Sequence, residues 1–347
     1  MDHARFTDRV AREVIDVRRG AAALDAISRE GFWAVVATFE GEVTAVRFGE
    51  VDRSVPPAQA PPSAASTSWR PLDRHWCTSL DRAAYVGAVR EVRDRIAAGT
   101  VYQVNVCRVL SHELAEAADL DGLDALVRQG NPAPHAARIR CADAGVDVVS
   151  ASPELFLGRR GDTVVTRPIK GTAPTADLML PKDHAENVMI VDLMRNDLSG
   201  VCVPGTVSVD ELCAVEAHPG LVHLVSTVSG RLEDGARWGD VFAATYPPGS
   251  VSGAPKSSAL HAIRDLETRP RGPYCGAIGW VDADAREADL AVGIRTFWAE
   301  HDDAGRRWLR FGTGAGITWH SDPEGEWAET ELKAARLIGL AAGTVTP

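Results

Sequence analysis

The chain has 347 residues, of which 45% are hydrophobic and 24% charged, and its formal net charge is −11. This is the composition of a globular protein of one large or two ordinary domains, and so acidic a balance excludes general binding to nucleic acid or to an anionic membrane. No apolar run approaches the roughly 20 residues that cross a bilayer, and the charged N-terminus, MDHARFTDRVAREVIDVRRG, lacks the apolar centre of a signal peptide, so a cytoplasmic protein is expected.

The six cysteines lie far apart, with no CxxC or Cys/His spacing, and suggest neither a zinc site nor a disulfide framework. An anionic ligand would need positive charge supplied locally, by arginines and lysines or by a divalent cation held on acidic residues. Residues 1–30 read as helix, and 32–37 with 42–48 as a hairpin turned near Glu40-Gly41. Residues 54–71 turn to Pro, Ala and Ser. A flexible connection over 54–75 would therefore separate an N-terminal region (1–53) from the main body (76–347). Ser79 then caps a helix in which Tyr85, Val89, Val92 and Ile96 recur at helical spacing up to Gly99. VYQVNV (101–106) alternates as a strand, and Gln103, sharing a face with Val101 and Asn105, points either to solvent, the commoner case, or into a polar site.

Short strands around Val148-Val149, Leu155 and Val164-Val165 lead to RPIKGT (167–172), where Pro168 and Gly171 bracket Lys170 at a tight strand end. The helix that follows has Val188, Val191 and Leu193 or Met194 as its apolar positions, with Asp183 and Glu186 three apart on one face. LVHLVSTV (221–228) is a β-run, inside which a lone His223 is ordinarily a hydrogen-bonded core residue. YPPGSVSGAPKS (246–257) looks like a phosphate loop but is not one, because Ala254-Pro255 stands before Lys256 and proline has no N–H. What remains is a Gly/Ser loop ending at a helix start with Pro255 near its first position, whose amides can hold a carboxylate. Three strands are expected over 274–280, 290–297 and 308–317. Arg295 interrupts an apolar run and requires an anionic partner, structural or ligand. The last helix begins near Pro323 and carries Glu326 and Glu329 three apart. The two acidic pairs are either solvated helix faces or the halves of a clamp for one hard cation such as Mg2+.

The ordered set YQVN (102–105), SPE (152–154), PIKGT (168–172), AEN (185–187) through DLMRND (192–197), HLVS (223–226), 249–256, IRT (294–296), GAGI (314–317) and Glu326-x-x-Glu329-Thr330 resembles the chorismate-utilising enzymes from residue 79 to the C-terminus. The resemblance implies an α+β fold of large, mostly antiparallel β-sheets packed face to face with helices outside. It also implies roles. Members that add water carry a lysine where this chain has Gln103, and anthranilate synthases carry alanine where it has Lys170. The lysine form is similar to aminodeoxychorismate synthase component I. On this resemblance Lys170 is the expected nucleophile at C2 of chorismate, Glu154 the general acid, and His223 an aid to proton transfer. Gln103, Thr172, Ser252 and Gly253 surround the substrate, while Arg295, Tyr274, Lys256 and the backbone of Gly314, Ala315 and Gly316 receive the enolpyruvyl carboxylate. Mg2+ is expected between Glu186 and Glu329, with Asp183 and Glu326 acting through water. Since no glutaminase motif is present, ammonia would come free or from a separate glutamine amidotransferase subunit. The family usually has an arginine where this chain reads Ala173-Pro174-Thr175. The portion ahead of Ser79 is shorter than in most members and has no tryptophan-binding motif.

Overall fold

Runs such as FWAVVA and AIGWVD, apolar at almost every position, demand strands covered on both faces, and every residue of both is buried. The computed structural model describes residues 2–53, 69–73, 75–173, 175–179, 181–218 and 221–345. Its first half contains β1 (His3–Arg5), β2 (Val10–Arg19), α1 (Ala21–Ala26), β3 (Phe32–Ala37), β4 (Val43–Asp52), β5 (Cys77–Thr78), α2 (Arg82–Ala97), β6 (Gln103–Glu113), α3 (Leu120–Gly130), β7 (His135–Cys141), β8 (Val146–Ser152), β9 (Leu155–Arg160) and β10 (Thr163–Arg167). The second half contains β11 (Ile169–Ala173), α4 (Pro181–Ser199), β12 (Ser208–His218), β13 (Leu221–Arg231), α5 (Trp238–Thr245), β14 (Gly253–Ala254), α6 (Lys256–Leu266), β15 (Ala277–Asp282), β16 (Glu287–Val292), β17 (Thr296–His301), β18 (Arg307–Ile317) and α7 (Pro323–Ala341).

The α+β expectation holds, with one refinement: the described strands join into a single curled sheet of 18 strands instead of separate ones. All its ladders are antiparallel. From neighbour to neighbour the ribbon runs β6, β18, β17, β8, β7, β1, β2, β4, β3, β15, β16, β9, β10, β13, β12; β11 continues the β10 edge of β13, while β5 and β14 flank β6. Helix α4 packs on β11, β12 and β13, and α7 packs on β18, α2 and α3. A large core includes Trp33, Tyr85, Val104 and Leu290, and a smaller one under α3 and α7 includes Leu120, Phe297, Phe311 and Leu337.

Several sequence expectations change. Residues 1–30 hold two strands, β1 and β2, and only one short helix, α1. Val10, Val14 and Val17 mimic helical spacing because a register shift between Val14 and Asp16 interrupts the two-residue alternation of β2. Asp81, not Ser79, caps α2 by accepting from the Ala84 amide at 2.8 Å. Val188 is exposed, and Ile190, Val191 and Met194 carry the buried face of α4. The run over 290–297 is two strands, β16 and β17, parted at Arg295, whose φ of 52° is left-handed. Of the connection 54–75, residues 54–68 and 74 lie outside the described residues. Within the connection, Trp69 donates its indole N–H to the Ala341 carbonyl at 2.8 Å, so that this described part is docked on the end of α7.

Candidate active site

Lys170 owes its placement to the residue after it. The ladder of β11 with β13 shifts register between Lys170 and Thr172, and Gly171 takes φ 79°, a conformation that side chains rarely adopt. A Cβ there would also lie 2.8 Å from Cβ of Asp183, so the glycine lets the first turn of α4 sit directly over the strand. The Lys170 ammonium donates to the Ser250 carbonyl at 3.2 Å. Burial holds its pKa below the usual lysine range; Glu186, Glu154 and Glu329 pull it up, and Lys333 adds to the lowering.

Glu154 lies between β8 and β9, fixed by its carbonyl, which accepts from the Val292 amide at 3.0 Å, and by Ser152, whose hydroxyl donates to the Val292 carbonyl at 2.6 Å. Its side chain is buried. Desolvation raises its pKa to about 7, opposed by a hydrogen bond from the Ser250 side chain, by the Lys170 charge and by the Ile169 amide. His223 is buried on β13, opposite Thr172 in the ladder. The Thr172 side chain and Pro174 lie outside what the structure describes.

Two helices bring the acidic pairs to this strand end. Asn187 ties α4 to β13: its amide donates to the Leu224 carbonyl at 3.2 Å, and its oxygen accepts from Ser226, whose hydroxyl also accepts from the Cys213 amide. On α7, Thr330 does the equivalent, accepting from Arg108 at 3.0 Å, while its carbonyl accepts from Thr313 at 2.8 Å. Each buried anchor stands one residue after a glutamate, Glu186 or Glu329. Both glutamates act electrostatically on Lys170, and Glu326 with Glu329 acts on Tyr85. The carboxylates are the hard oxygen donors that Mg2+ takes. Among the described residues no three metal-binding side chains stand as a ready cluster, and Glu329 engages Lys333 at 2.7 Å.

The facing wall is the paired stretch of β6 and β18. Gln103 is 2% exposed rather than solvent-facing, and its Oε1 is buried without a hydrogen-bond partner among the described residues. A Cβ on Gly316 would come within 2.4 Å of its Nε2. Gly253 lets β14 approach β6: a Cβ there would meet the Gln103 carbonyl at 2.2 Å. Ser252 turns its hydroxyl back to the Pro248 carbonyl at 3.1 Å and belongs to the loop's internal bonding. Gly314, Ala315 and Gly316 pair with Cys107, Val106 and Asn105 of β6, but the ladder of β17 with β18 reaches only Phe311. From 312 to 317 the other edge of β18 has no strand partner among the described residues, and Arg295 stands where β17 begins. The Arg295 guanidinium is partly buried, makes no hydrogen bond or ion pair among the described residues, and has its pKa lowered by desolvation. An anion could occupy both the amide edge and this guanidinium.

Two expected contacts lie elsewhere. Tyr274 is packed across Gly312, where a Cβ would be 1.9 Å from its ring, and its hydroxyl accepts from the Cys107 thiol at 3.9 Å. Lys256 donates to Asp197 at 2.6 Å and to the Thr245 carbonyl at 2.9 Å. Sequence reasoning passed over Ser250, which meets both Lys170 and Glu154, and Lys333, which also donates to the Gly314 carbonyl at 3.1 Å. Lys333 carried a signal, standing four residues after Glu329 on a helix. Ser250 carried none beyond its Gly/Ser loop.

Residues 34–339 match the family described as chorismate binding enzyme. Anthranilate synthase component 1 from Haloarcula marismortui is 37% identical over 315 residues, covering 86% of this chain and 62% of the relative. Its counterpart from Streptomyces coelicolor is 37% identical over 298 residues, covering 80% and 57%. Aminodeoxychorismate synthase component 1 from Salmonella typhimurium is 34% identical over 321 residues, covering 88% and 68%. The chain thus spans about three fifths of the length of the first two relatives. The solved structure of anthranilate synthase component I from Streptococcus pneumoniae superposes with a TM-score of 0.79 at 22% identity over 97% of this chain and 92% of that one, which shows the fold.

Proposed function

The chain belongs to the chorismate binding enzyme family, and within that family we propose that it aminates chorismate at C4 with ammonia, giving 4-amino-4-deoxychorismate. The observation that carries the reading is Lys170: a desolvated lysine on a backbone carbonyl, beside a buried carboxyl with a pKa of about 7. Burial favours the amine, the form that can attack carbon. The same burial keeps a proton on Glu154 near neutrality, the form that can protonate a leaving oxygen.

The steps balance. The Lys170 amine forms a bond to C2, both double bonds of the ring diene shift away from it, and the C4 oxygen departs as water with the Glu154 proton. Ammonia then bonds to C4, both double bonds return, and the C2–N bond breaks to restore the lysine. One proton, lost from the nitrogens overall, replaces that of Glu154. His223, buried beside the strand end, is suited to assist this transfer. Arg295 and the open edge of β18 would hold the enolpyruvyl carboxylate. Glu186 and Glu329, with Asp183 and Glu326, would hold Mg2+, which when bound supplies positive charge for the ring carboxylate. Ammonia would be free or come from a separate glutamine amidotransferase subunit.

A second reading, anthranilate synthase component I, is favoured by the 37% identity of those relatives. The test is product analysis on the purified chain with chorismate, Mg2+ and ammonium: 4-amino-4-deoxychorismate supports the amination without elimination, and anthranilate with pyruvate supports the second reading.

A further inference from the structure

Lys170 and Glu154 both lean on Ser250, so whatever fixes Ser250 fixes the pair. Ser250 lies in a short 3-10 turn, Gly249–Val251, within the loop 246–255. Gly249 is seated on α4, for a Cβ there would fall 2.5 Å from Met194 and 2.6 Å from Leu193. Buried Arg271 donates to the Val251 carbonyl at 2.8 Å, and the Asn105 amide to the Ser252 carbonyl at 2.9 Å. At the neck, Lys256 follows the loop and Thr245 precedes it. The Lys256 ammonium joins them through its 2.9 Å bond to the Thr245 carbonyl, and Asp197, 7% exposed, fastens that neck to α4 at 2.6 Å. A lysine at the first residue of α6 opposes the helix dipole, so the placement depends on the aspartate.

We infer that Asp197 and Lys256 form a latch that closes the 246–255 loop, and that they are positioning residues which act through Ser250 to hold Lys170 and Glu154 in reacting geometry. The inference rests on the proposed amination. It assigns Lys256 to the loop's neck and away from the substrate carboxylate.

The test is steady-state kinetics of the full chain with chorismate, Mg2+ and ammonium, below each variant's own unfolding temperature. Unaltered protein is assayed first, and absence of the aminated product there defeats the amination reading, not the latch. Given that product, Asp197→Asn, which keeps the side chain's shape, should lower kcat about 10- to 100-fold with the KM for chorismate within about threefold, since small misplacements of reacting groups act on the chemical step. Lys256→Met should behave alike, and the exchange D197K/K256D should recover at least part of the loss. Two results overturn the latch: variants with full kcat and only a lowered unfolding temperature, or a Lys256→Met variant whose KM rises strongly while kcat holds. Should Lys256→Met fail to fold, Asp197→Asn alone decides by the same split.

Discussion

Two half-buried lysines that both bond to one loop have opposite surroundings. Lys256 meets a carboxylate at 2.6 Å and a carbonyl at 2.9 Å, two acceptors that hold the side chain in place. Lys170 donates to one carbonyl at 3.2 Å, and desolvation, helped by Lys333, outweighs the three glutamates that favour its charge. The first arrangement makes a lysine a fastening; the second makes it available as an amine. Burial alone is therefore a poor guide to reactivity, and the partner of the charged form decides.

The largest expected effect breaks this contrast at Lys170. Lys170→Ala should lower formation of 4-amino-4-deoxychorismate by about a thousandfold, measured as kcat with saturating ammonium; undiminished turnover would show that the amine is not used. Next comes Glu154→Gln, which keeps the shape but not the proton and should cost about 100-fold in kcat. The pH profile sharpens the comparison more gently. Glu154 works as the acid below its folded pKa of about 7, so kcat should fall about tenfold per pH unit above that value, and substitution by glutamine should remove this limb. The Lys170 amine needs the opposite direction, and burial, by lowering its pKa, moves it that way. Gly171→Ala is the smallest change: a side chain at φ 79° pressed against Asp183 should cost about 1–2 kcal/mol of stability, read from chemical denaturation.

The two lysines also show what the sequence could tell. The Lys170 turn was legible because its punctuation is local: Pro168 and Gly171 bracket it, and Gly171 is the bulge residue that the geometry requires. Lys256 was not, because its carboxylate partner stands 59 residues away on α4. Gln103 failed for a different reason. Alternation marks the faces of a strand but not whether both are covered, and β6 is buried throughout Gln103–Ser111, between β18 on one edge and β5 or β14 on the other. The antiparallel fold class was legible through the family motifs, whereas the strands in residues 1–30 were hidden by the shifted register of β2. Arg295 was legible as an interruption of an apolar run. That the interruption also ends one strand and starts another came only from its backbone conformation.

The central claim is that Lys170 bonds to the substrate. Quenching the chain with chorismate and Mg2+ before ammonium is added, then mapping its peptides by mass spectrometry, tests it directly. The prediction is an increase on the Lys170 peptide equal to chorismate less one water, lost when ammonium is supplied. A chain that turns over fully while that peptide never gains mass would contradict it.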